Sequence, residues 1–465
     1  MPHRAVKIVA TVGPASSEPE ILEQLIQAGV NVFRFNYAHG TRAGHATVIK
    51  QVHDLALKLN KPIGTLADIS GPKIRLGKIP GDTVTLTQGM LVSLCSPEVE
   101  QIGLPVQLAN FAEHVQPGDP IYLSDGTRKL IVTEINDGIV KAIVANGGEV
   151  SSFKGINLPF LRKNLPTVGD KDLQDIESAL KDGIDWIGLS FVSSPEDLNP
   201  IHDLMEKINL RRPVLAKLER RQAMDHLEKI VAAFDGVMVA RGDLGIEVEF
   251  EKVPVIQDRI LRTAHQCGKP AIVATQILTS MVANPRPTRA EVTDIAYAVK
   301  SGADALMLSE ETAIGAYPVE AVQTIVKVAQ EIEASSGRRQ SSDDAEFDQR
   351  RALARTAVIL AQNTKAAAIL CPTHSGNAAR SVAQFQPRVP IIVVSDVEEL
   401  IGELTLYRGI YPKFRPLGDS LDSRIETAVT FAEELGLAEK GDKLVIVGGV
   451  PAGSGKMNLL MVHTV

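Results

Sequence analysis

Residues 213–219 read PVLAKLE and residues 236–245 read GVMVARGDLG. Each is a short apolar run that ends in charged residues. The same unit recurs on both sides, with helical segments between the copies. Candidate strands are Val6–Val12, Asn31–Phe35, Ile63–Ile69, Trp186–Val192, Val214–Leu218, Gly236–Ala240, Ala271–Thr275 and Ala305–Leu308. Near-continuous apolar strands alternating with helices indicate a parallel sheet covered on its outer face. Eight such units predict a (β/α)8 TIM barrel rather than a doubly wound sheet.

The helix ends are readable. Ser17 and Glu20 have capping-box spacing, Leu22, Leu25 and Ile26 make an apolar stripe, and Gly29 reads as a stop. Asp170 is a candidate cap for a helix carrying Leu173, Ile176 and Leu180, with Gly183 beyond it. Thr288 and Glu291 form a second capping box, Gly302 ends that helix, and Pro318 suits a first helical position.

The rhythm breaks after the third strand. Between Ser70 and Thr167 short alternating strands are separated by Gly81-Asp82, Gly118-Asp119, Asp125-Gly126 and Asp137-Gly138. That pattern predicts an inserted small β-barrel domain. The polar stretch Ser335–Asp348 reads as a linker, and apolar runs at Ala352–Asn363, Ala368–Cys371, Ile391–Val394, Arg424–Leu435 and Lys443–Val447 predict a C-terminal α/β domain. The expected division is barrel 1–69, inserted domain 70–167, barrel 168–340 and C-terminal domain 341–465.

Composition narrows the function. The 465 residues are 44% hydrophobic and 23% charged, with net charge −7. This is the balance of a soluble globular chain, and the charge argues against nucleic acid as the main partner. Three separated cysteines have no metal-ligand spacing and fit a reducing compartment. Neither a secretory signal nor a membrane span is expected, which leaves the cytoplasm by exclusion.

In a barrel, chemistry sits at the C-terminal ends of the strands. Here all eight ends are polar: Thr11 and Pro14; Arg34, Asn36 and His39; Asp68; Ser190; Lys217 and Glu219; Arg241 and Asp243; Thr275 and Gln276; Ser309 and Glu311. Lys217 and Glu219 are two apart, so on a strand they share a face. An ordinary ion pair would explain them equally well. Gly242 lets the backbone approach a ligand closely, although Gly-Asp-Leu-Gly is also a common turn. Glu219 and Asp243 together offer two carboxylates to a hard cation such as Mg2+, with Mn2+ as the alternative. Arg286 and Arg289 lie beside the Thr288 capping box, where helix-start geometry accounts for the prolines.

The motifs VATVGPAS (9–16), FRFNYAHG (33–40), LAKLE, MVARGDLG, ATQIL and NPRPTRAE occur in an order that closely resembles the pyruvate kinases, over nearly the whole chain. The resemblance implies phosphoryl transfer between phosphoenolpyruvate and ADP. It implies that Arg34 and Lys217 hold the phosphoryl group, and that Glu219 and Asp243 bind Mg2+. The backbone at Gly242 and Asp243 would meet the substrate carboxylate, and Thr275 would lie near the proton delivered to the enolate carbon, with Ser309 and Glu311 connected to that path. Pro14, Asn36, His39, Arg75 and Lys154 match nucleotide-side positions, the last two on a lid. A homotetramer is also implied.

Two departures fall together. The usual serine of the NFSHG motif is replaced in Asn36-Tyr37-Ala38-His39-Gly40, and the usual glutamate after Gly71-Pro72 is Lys73. A K+ shell without the serine oxygen is poorer. A unit charge at about 4 Å with an effective dielectric near 20 is worth roughly 4 kcal/mol, so the Lys73 ammonium is expected to substitute for K+. An incidental surface lysine is the alternative.

Two polar loops, Thr373-His374-Ser375-Gly376-Asn377 and Pro451–Lys456, suit a phosphorylated effector. Thr373, Ser375, Gly376, Asn377, Ser454 and Gly455 are its candidate contacts. The first loop lacks a basic residue, which favours a monophosphate over a bisphosphate; a purely structural loop is the alternative. The second is no Walker A loop, because Met457 stands where Ser or Thr is needed. Two other functions share parts of the pattern. A Mg2+-dependent lyase or aldolase acting through a pyruvate enolate would use Glu219 and Asp243 but not the lid cations. A catalytically silent relative would have no need of the full set of charged residues.

Overall fold

The computed structural model describes residues 4–99, 103–161, 165–335, 348–449 and 456–465. Eight strands close into one parallel barrel: β1 (Lys7–Thr11), β2 (Val32–Asn36), β3 (Gly64–Ile69), β4 (Trp186–Leu189), β5 (Val214–Leu218), β6 (Gly236–Ala240), β7 (Ala271–Ala274) and β8 (Ala305–Leu308). Neighbours follow chain order, and pairing of Lys7 with Ala305 closes the ring. The period-two alternation decides which side chains meet inside. Val9, Val32, Leu66, Trp186, Leu215, Met238 and Ile272 form the inner core, whereas Ile8, Phe33, Ala67, Ile187, Ala216 and Val237 pack on the helices outside. Full burial of an aliphatic side chain contributes about 1.5–3 kcal/mol, so this parity is strongly enforced. It also places Arg34, Asp68, Lys217 and Glu219 on the inner side, above that core.

The helix ends follow local chemistry, with two corrections. Thr288 and Glu291 form the reciprocal cap: Glu291 N–H donates to Thr288 Oγ1 at 3.2 Å and Thr288 N–H to Glu291 Oε2 at 2.7 Å. The Ser17–Glu20 box does not form. That helix runs Pro19–Ala28 with Glu18 as its N-cap. Proline's fixed φ makes Pro19 the first helical residue, which puts Ser17 outside the cap register. Asp170 is likewise the first residue of its helix rather than the cap. Asp172 instead accepts the Gly169 N–H at 3.0 Å.

The inserted segment holds a six-stranded sheet and a two-stranded ribbon around its own core, which includes Leu76, Leu94, Phe111 and Leu130. Its hairpin at Asp137-Gly138 has both residues at positive φ, 49° and 78°. That is the two-residue turn expected of an Asp-Gly pair. The last barrel helix ends at Ser335 and the next helix starts at Gln349.

The C-terminal sheet has the order Ile410–Phe414, Ile391–Ser395, Ala368–Pro372, Lys443–Gly448, Leu459–Thr464, the last strand antiparallel. This domain packs under the barrel, at the strand N-termini. Trp186 Nε1 donates to Glu403 O at 3.1 Å, and Lys7 Nζ to Ile410 O at 2.5 Å. The strand C-termini are left facing the inserted domain. Among the described residues no helix is long and apolar enough to cross a membrane.

Candidate active site

β2, β3 and β5 bring four charged side chains together inside the mouth of the barrel. Arg34 Nε donates to Asp68 Oδ2 at 2.6 Å and Arg34 Nη1 to Thr11 Oγ1 at 2.9 Å. Lys217 Nζ has three partners: Asp68 Oδ1 at 2.9 Å, Ser190 Oγ at 2.7 Å and Glu219 Oε1 at 3.0 Å. The contacts to Asp68 and Ser190 are hydrogen bonds, and the one to Glu219 is an ion pair. Lys217 and Arg34 are buried, and Asp68 and Glu219 are almost completely so.

These charges set one another's protonation. Burial alone would lift the Asp68 carboxyl, but Arg34 and Lys217 outweigh it and hold it below the ordinary range. Burial would also discharge Lys217, yet the Asp68 and Glu219 charges keep its ammonium above the usual lysine value. Glu219 is pushed upward, first by burial, against Lys217, and with Asp243 and Asp68 adding like-charge repulsion. The remaining Glu219 oxygen accepts the Phe191 N–H at 2.8 Å.

β6 runs directly into the helix Arg241–Glu247, which carries Gly242 and Asp243. Gly242 N–H donates to Thr275 Oγ1 at 2.7 Å, and that hydroxyl donates to Ala274 O at 2.7 Å. Thr275 and Gln276 adopt φ of 65° and 54°, and Phe191 after β4 adopts 58°. A β-branched or bulky residue in that region is strained by about 1–3 kcal/mol and needs surroundings that hold it there. Arg241 is such a holder. It donates to Asp294 at 2.7 Å, to Thr275 O at 2.8 Å and to Gln276 O at 3.2 Å. Glu311 accepts the Ser309 and Leu278 N–H groups at 2.7 and 2.9 Å, tying together the loops after β7 and β8.

The donor set suits a hard divalent ion. Glu219 and Asp243 are close enough to repel, and carboxylate oxygens with substrate and water oxygens complete a Mg2+ shell. Among the described residues no cluster of three His, Cys, Asp or Glu side chains competes for a metal.

The expected nucleotide residues lie on two bodies. Pro14 and His39 are exposed at the barrel mouth, and Asn36 Oδ1 accepts the Ala38 N–H at 3.1 Å. Arg75 and Lys154 lie on adjoining segments of the inserted domain: Arg75 bridges to Gly155, and Leu76 N–H donates to Lys154 O at 2.8 Å. Lys73 is not drawn into the central cluster. Its ammonium pairs with Asp125 of the inserted domain at 3.6 Å. A cleft of about 810 Å3 separates the turn at Asp125–Thr127 from residues 241–254. Gly242 lines it, whereas Lys217 and Glu219 do not.

In the C-terminal domain Gly376 and Ser375 N–H both donate to Thr373 Oγ1, at 3.1 and 3.3 Å. The loop thus satisfies itself, and Asn377 starts the next helix. Ser454 and Gly455 fall outside the described residues. Sequence reasoning missed Phe191, whose N–H donates to Glu219, and Asp294, which accepts from Arg241. Phe191 reads as one more apolar residue of the strand Trp186–Val192 and Asp294 as a polar position on a helix, so no local signal marked either.

A parallel eight-stranded barrel with a domain inserted between β3 and β4, and with cations facing carboxylates in its mouth, has the layout of a barrel enzyme whose site lies at the strand C-termini. The pyruvate kinase barrel domain matches residues 3–322, and the pyruvate kinase alpha/beta domain matches residues 351–463. The pyruvate kinase of Thermotoga maritima is 38% identical over 462 residues, covering 99% of both chains. Pyruvate kinase 2 of Synechocystis is 38% identical over 470 residues, 99% of this chain and 79% of the relative. The Sporosarcina psychrophila pyruvate kinase is 37% identical over 99% of this chain and 80% of its own. The chain belongs to the pyruvate kinase family.

Proposed function

We propose that this chain transfers the phosphoryl group of phosphoenolpyruvate to ADP, giving pyruvate and ATP, in the cytoplasm and as a homotetramer. The observation that carries the reading is the buried Arg34–Asp68–Lys217–Glu219 cluster at the strand C-termini. Arg34 and Lys217 present fixed positive charge where the transferred phosphoryl group passes, and stabilisation of that charge dominates this chemistry. The bond from phosphorus to the enolate oxygen breaks, and a bond to a terminal ADP oxygen forms. The enolate then takes a proton on carbon beside Thr275. Gly242 and Asp243 receive the substrate carboxylate through their backbone. Mg2+ held by Glu219 and Asp243, or Mn2+ in its place, supplies positive charge to the substrate oxygens. Lys217, paired with Glu219 at 3.0 Å, is held where its charge can meet the phosphoryl group.

Arg75 and Lys154 grip the nucleotide as the inserted domain closes over Pro14, Asn36 and His39. K+ is not required in this reading, because Ala38 offers no hydroxyl and Lys73 brings its own charge. Lys73 pairs with Asp125 at 3.6 Å, so in this reading closure of the inserted domain delivers it to the mouth. A phosphorylated effector at Thr373–Asn377 completes the proposal.

The test is pyruvate formation from phosphoenolpyruvate, ADP and Mg2+, with K+ or a choline salt, in the native chain and in Lys73→Glu. Turnover in both salts that Lys73→Glu makes K+-dependent supports the reading. Turnover only with K+ removes the role of Lys73. A folded protein without turnover in either salt points to the lyase or the silent relative.

A further inference from the structure

β4 ends between two neighbours. Leu189 pairs with Ile69 of β3 and with Ala216 of β5, so the next residue, Ser190, falls between the strand ends that carry Asp68 and Lys217. Ser190 is buried, and its Oγ lies 2.6 Å from Ile69 O and 2.7 Å from Lys217 Nζ. The partners fix the direction of each bond. An ammonium only donates and a carbonyl only accepts, so the hydroxyl accepts from Lys217 and spends its one proton on Ile69. Asp68 Oδ1, at 3.5 Å, is the more distant acceptor for that proton.

The Lys217 ammonium is thereby held from three directions: by Asp68 on β3, by Ser190 after β4 and by Glu219 after β5. Three contacts define a point. The two carboxylates alone would let the ammonium swing about the line that joins them, because charge attraction depends on distance and not on direction. The contact to Ser190 is the shortest of the three. It also comes from a neutral group, so it fixes the ammonium without subtracting from the positive charge that faces the mouth. The backbone around Ser190 is itself tied down. A Cβ on Gly71 would stand 3.2 Å from Ser190 O and 3.3 Å from Phe191 Cδ2, and Phe191 N–H donates to Glu219 Oε2 at 2.8 Å.

We propose that Ser190 is a positioning residue for Lys217: its hydroxyl, oriented by Ile69 O, sets the ammonium at the place where the phosphoryl group is transferred. The inference rests on the phosphoryl-transfer reading given above. Ser190 acts only through Lys217 in it. A misplacement of about 1 Å in a reacting constellation costs on the order of a hundredfold in rate, so one hydroxyl is enough to matter.

The test compares Ser190→Ala with the native chain, and the same substitution within Lys217→Met. Steady-state turnover of phosphoenolpyruvate and ADP is expected to show kcat lowered roughly tenfold or more by Ser190→Ala, as loss of a hydrogen bond to a charged group predicts. The KM for phosphoenolpyruvate and the apparent Mg2+ affinity should stay within about twofold, because the bond from Phe191 to Glu219 is made by backbone and survives. In Lys217→Met the serine has no ammonium left to place, so Ser190→Ala should lower kcat by less than about twofold further. Three results would overturn the proposal: a Ser190→Ala kcat near the native one, an equal loss in both backgrounds, or a loss that brings Mg2+ affinity down with it. Urea unfolding of the same four proteins gives a readout that needs no turnover. The midpoint shift caused by Ser190→Ala should be smaller in Lys217→Met than in the native chain, and equal shifts would show that Ser190 does not hold Lys217. A native chain without turnover would remove the phosphoryl-transfer reading, while the unfolding comparison would still decide whether Ser190 places the ammonium.

Discussion

Lys217→Met keeps the length of the side chain and removes its charge. Two consequences differ in size and in readout. In the resting protein, Asp68 and Glu219 lose a partner at 2.9 and 3.0 Å in a buried site. Removing one member of a buried pair costs about 3–5 kcal/mol, because the stranded charges keep their desolvation penalty. Part of this is recovered when Glu219 takes up a proton, since its carboxyl already lies above the usual range. In the reaction, a unit charge about 4 Å from the transferred phosphoryl group contributes roughly 4 kcal/mol at an effective dielectric near 20. At about 1.4 kcal/mol per decade, kcat should fall about a thousandfold. Pyruvate release coupled to NADH oxidation reads the rate, and urea unfolding reads the stability. Lys217→Arg, which restores charge but not the compact geometry, should recover more stability than turnover. A folded Lys217→Met protein whose kcat stays within about tenfold of the native value would refute this account of the cluster.

Three further outcomes follow from other parts of the structure. Arg241→Met removes the bonds that hold Thr275 and Gln276 at positive φ. It should cost about 2–4 kcal/mol and lower kcat at least about tenfold, measured by unfolding and by turnover. Burial and the neighbouring Asp243 lift the Glu219 carboxyl against the pull of Lys217, so protons compete with Mg2+ at that carboxylate. The apparent Mg2+ affinity from turnover titrations should weaken as pH is lowered, starting above the range of an ordinary glutamate, and Glu219→Gln should abolish that dependence. Lys7 is buried at the seam between barrel and C-terminal domain, and burial, then Arg4, lowers its ammonium to about 7. Its unfolded value is higher, so this group's stability is present above pH 10 or so and is lost as pH falls toward 7. Relative to Lys7→Met, the native chain should gain on the order of 3–5 kcal/mol in chemical unfolding between those limits.

Much of the architecture was legible because burial imposes periods on sequence. Val214–Leu218, Gly236–Ala240 and Ala305–Leu308 coincide with observed strands, since each is a short, buried run that is apolar apart from Lys217. The two strands that escaped, Ile410–Phe414 and Leu459–Thr464, are the edges of the C-terminal sheet. Edge strands carry a weaker pattern: Pro412 sits within the first, which reads as a break, and the second is nowhere fully buried. The same period made the central cluster legible. Leu215, Lys217 and Glu219 lie on one side of one strand, so placing Leu215 in the core fixes where the other two point.

The alternation rule stops where the backbone turns. Thr275 follows β7 at a positive φ, and no propensity would assign a β-branched residue to that region. The bond from Arg241, itself at the end of a different strand, and the Gly242 N–H on its hydroxyl explain how it stays there. Lys73 shows the limit most clearly. It lies two residues beyond Gly71, whose φ of 61° takes the chain out of β3 and into the inserted domain. Strand period cannot be carried across such a glycine, because the next side chains take their direction from the turn. The sequence therefore brought Lys73 next to Ala38 in motif order, while the backbone carries it to Asp125. In the proposed mechanism a catalytic role for Lys73 therefore requires the inserted domain to close. The expected outcome is an effect of Lys73→Glu on turnover and none on the unfolding of the resting chain.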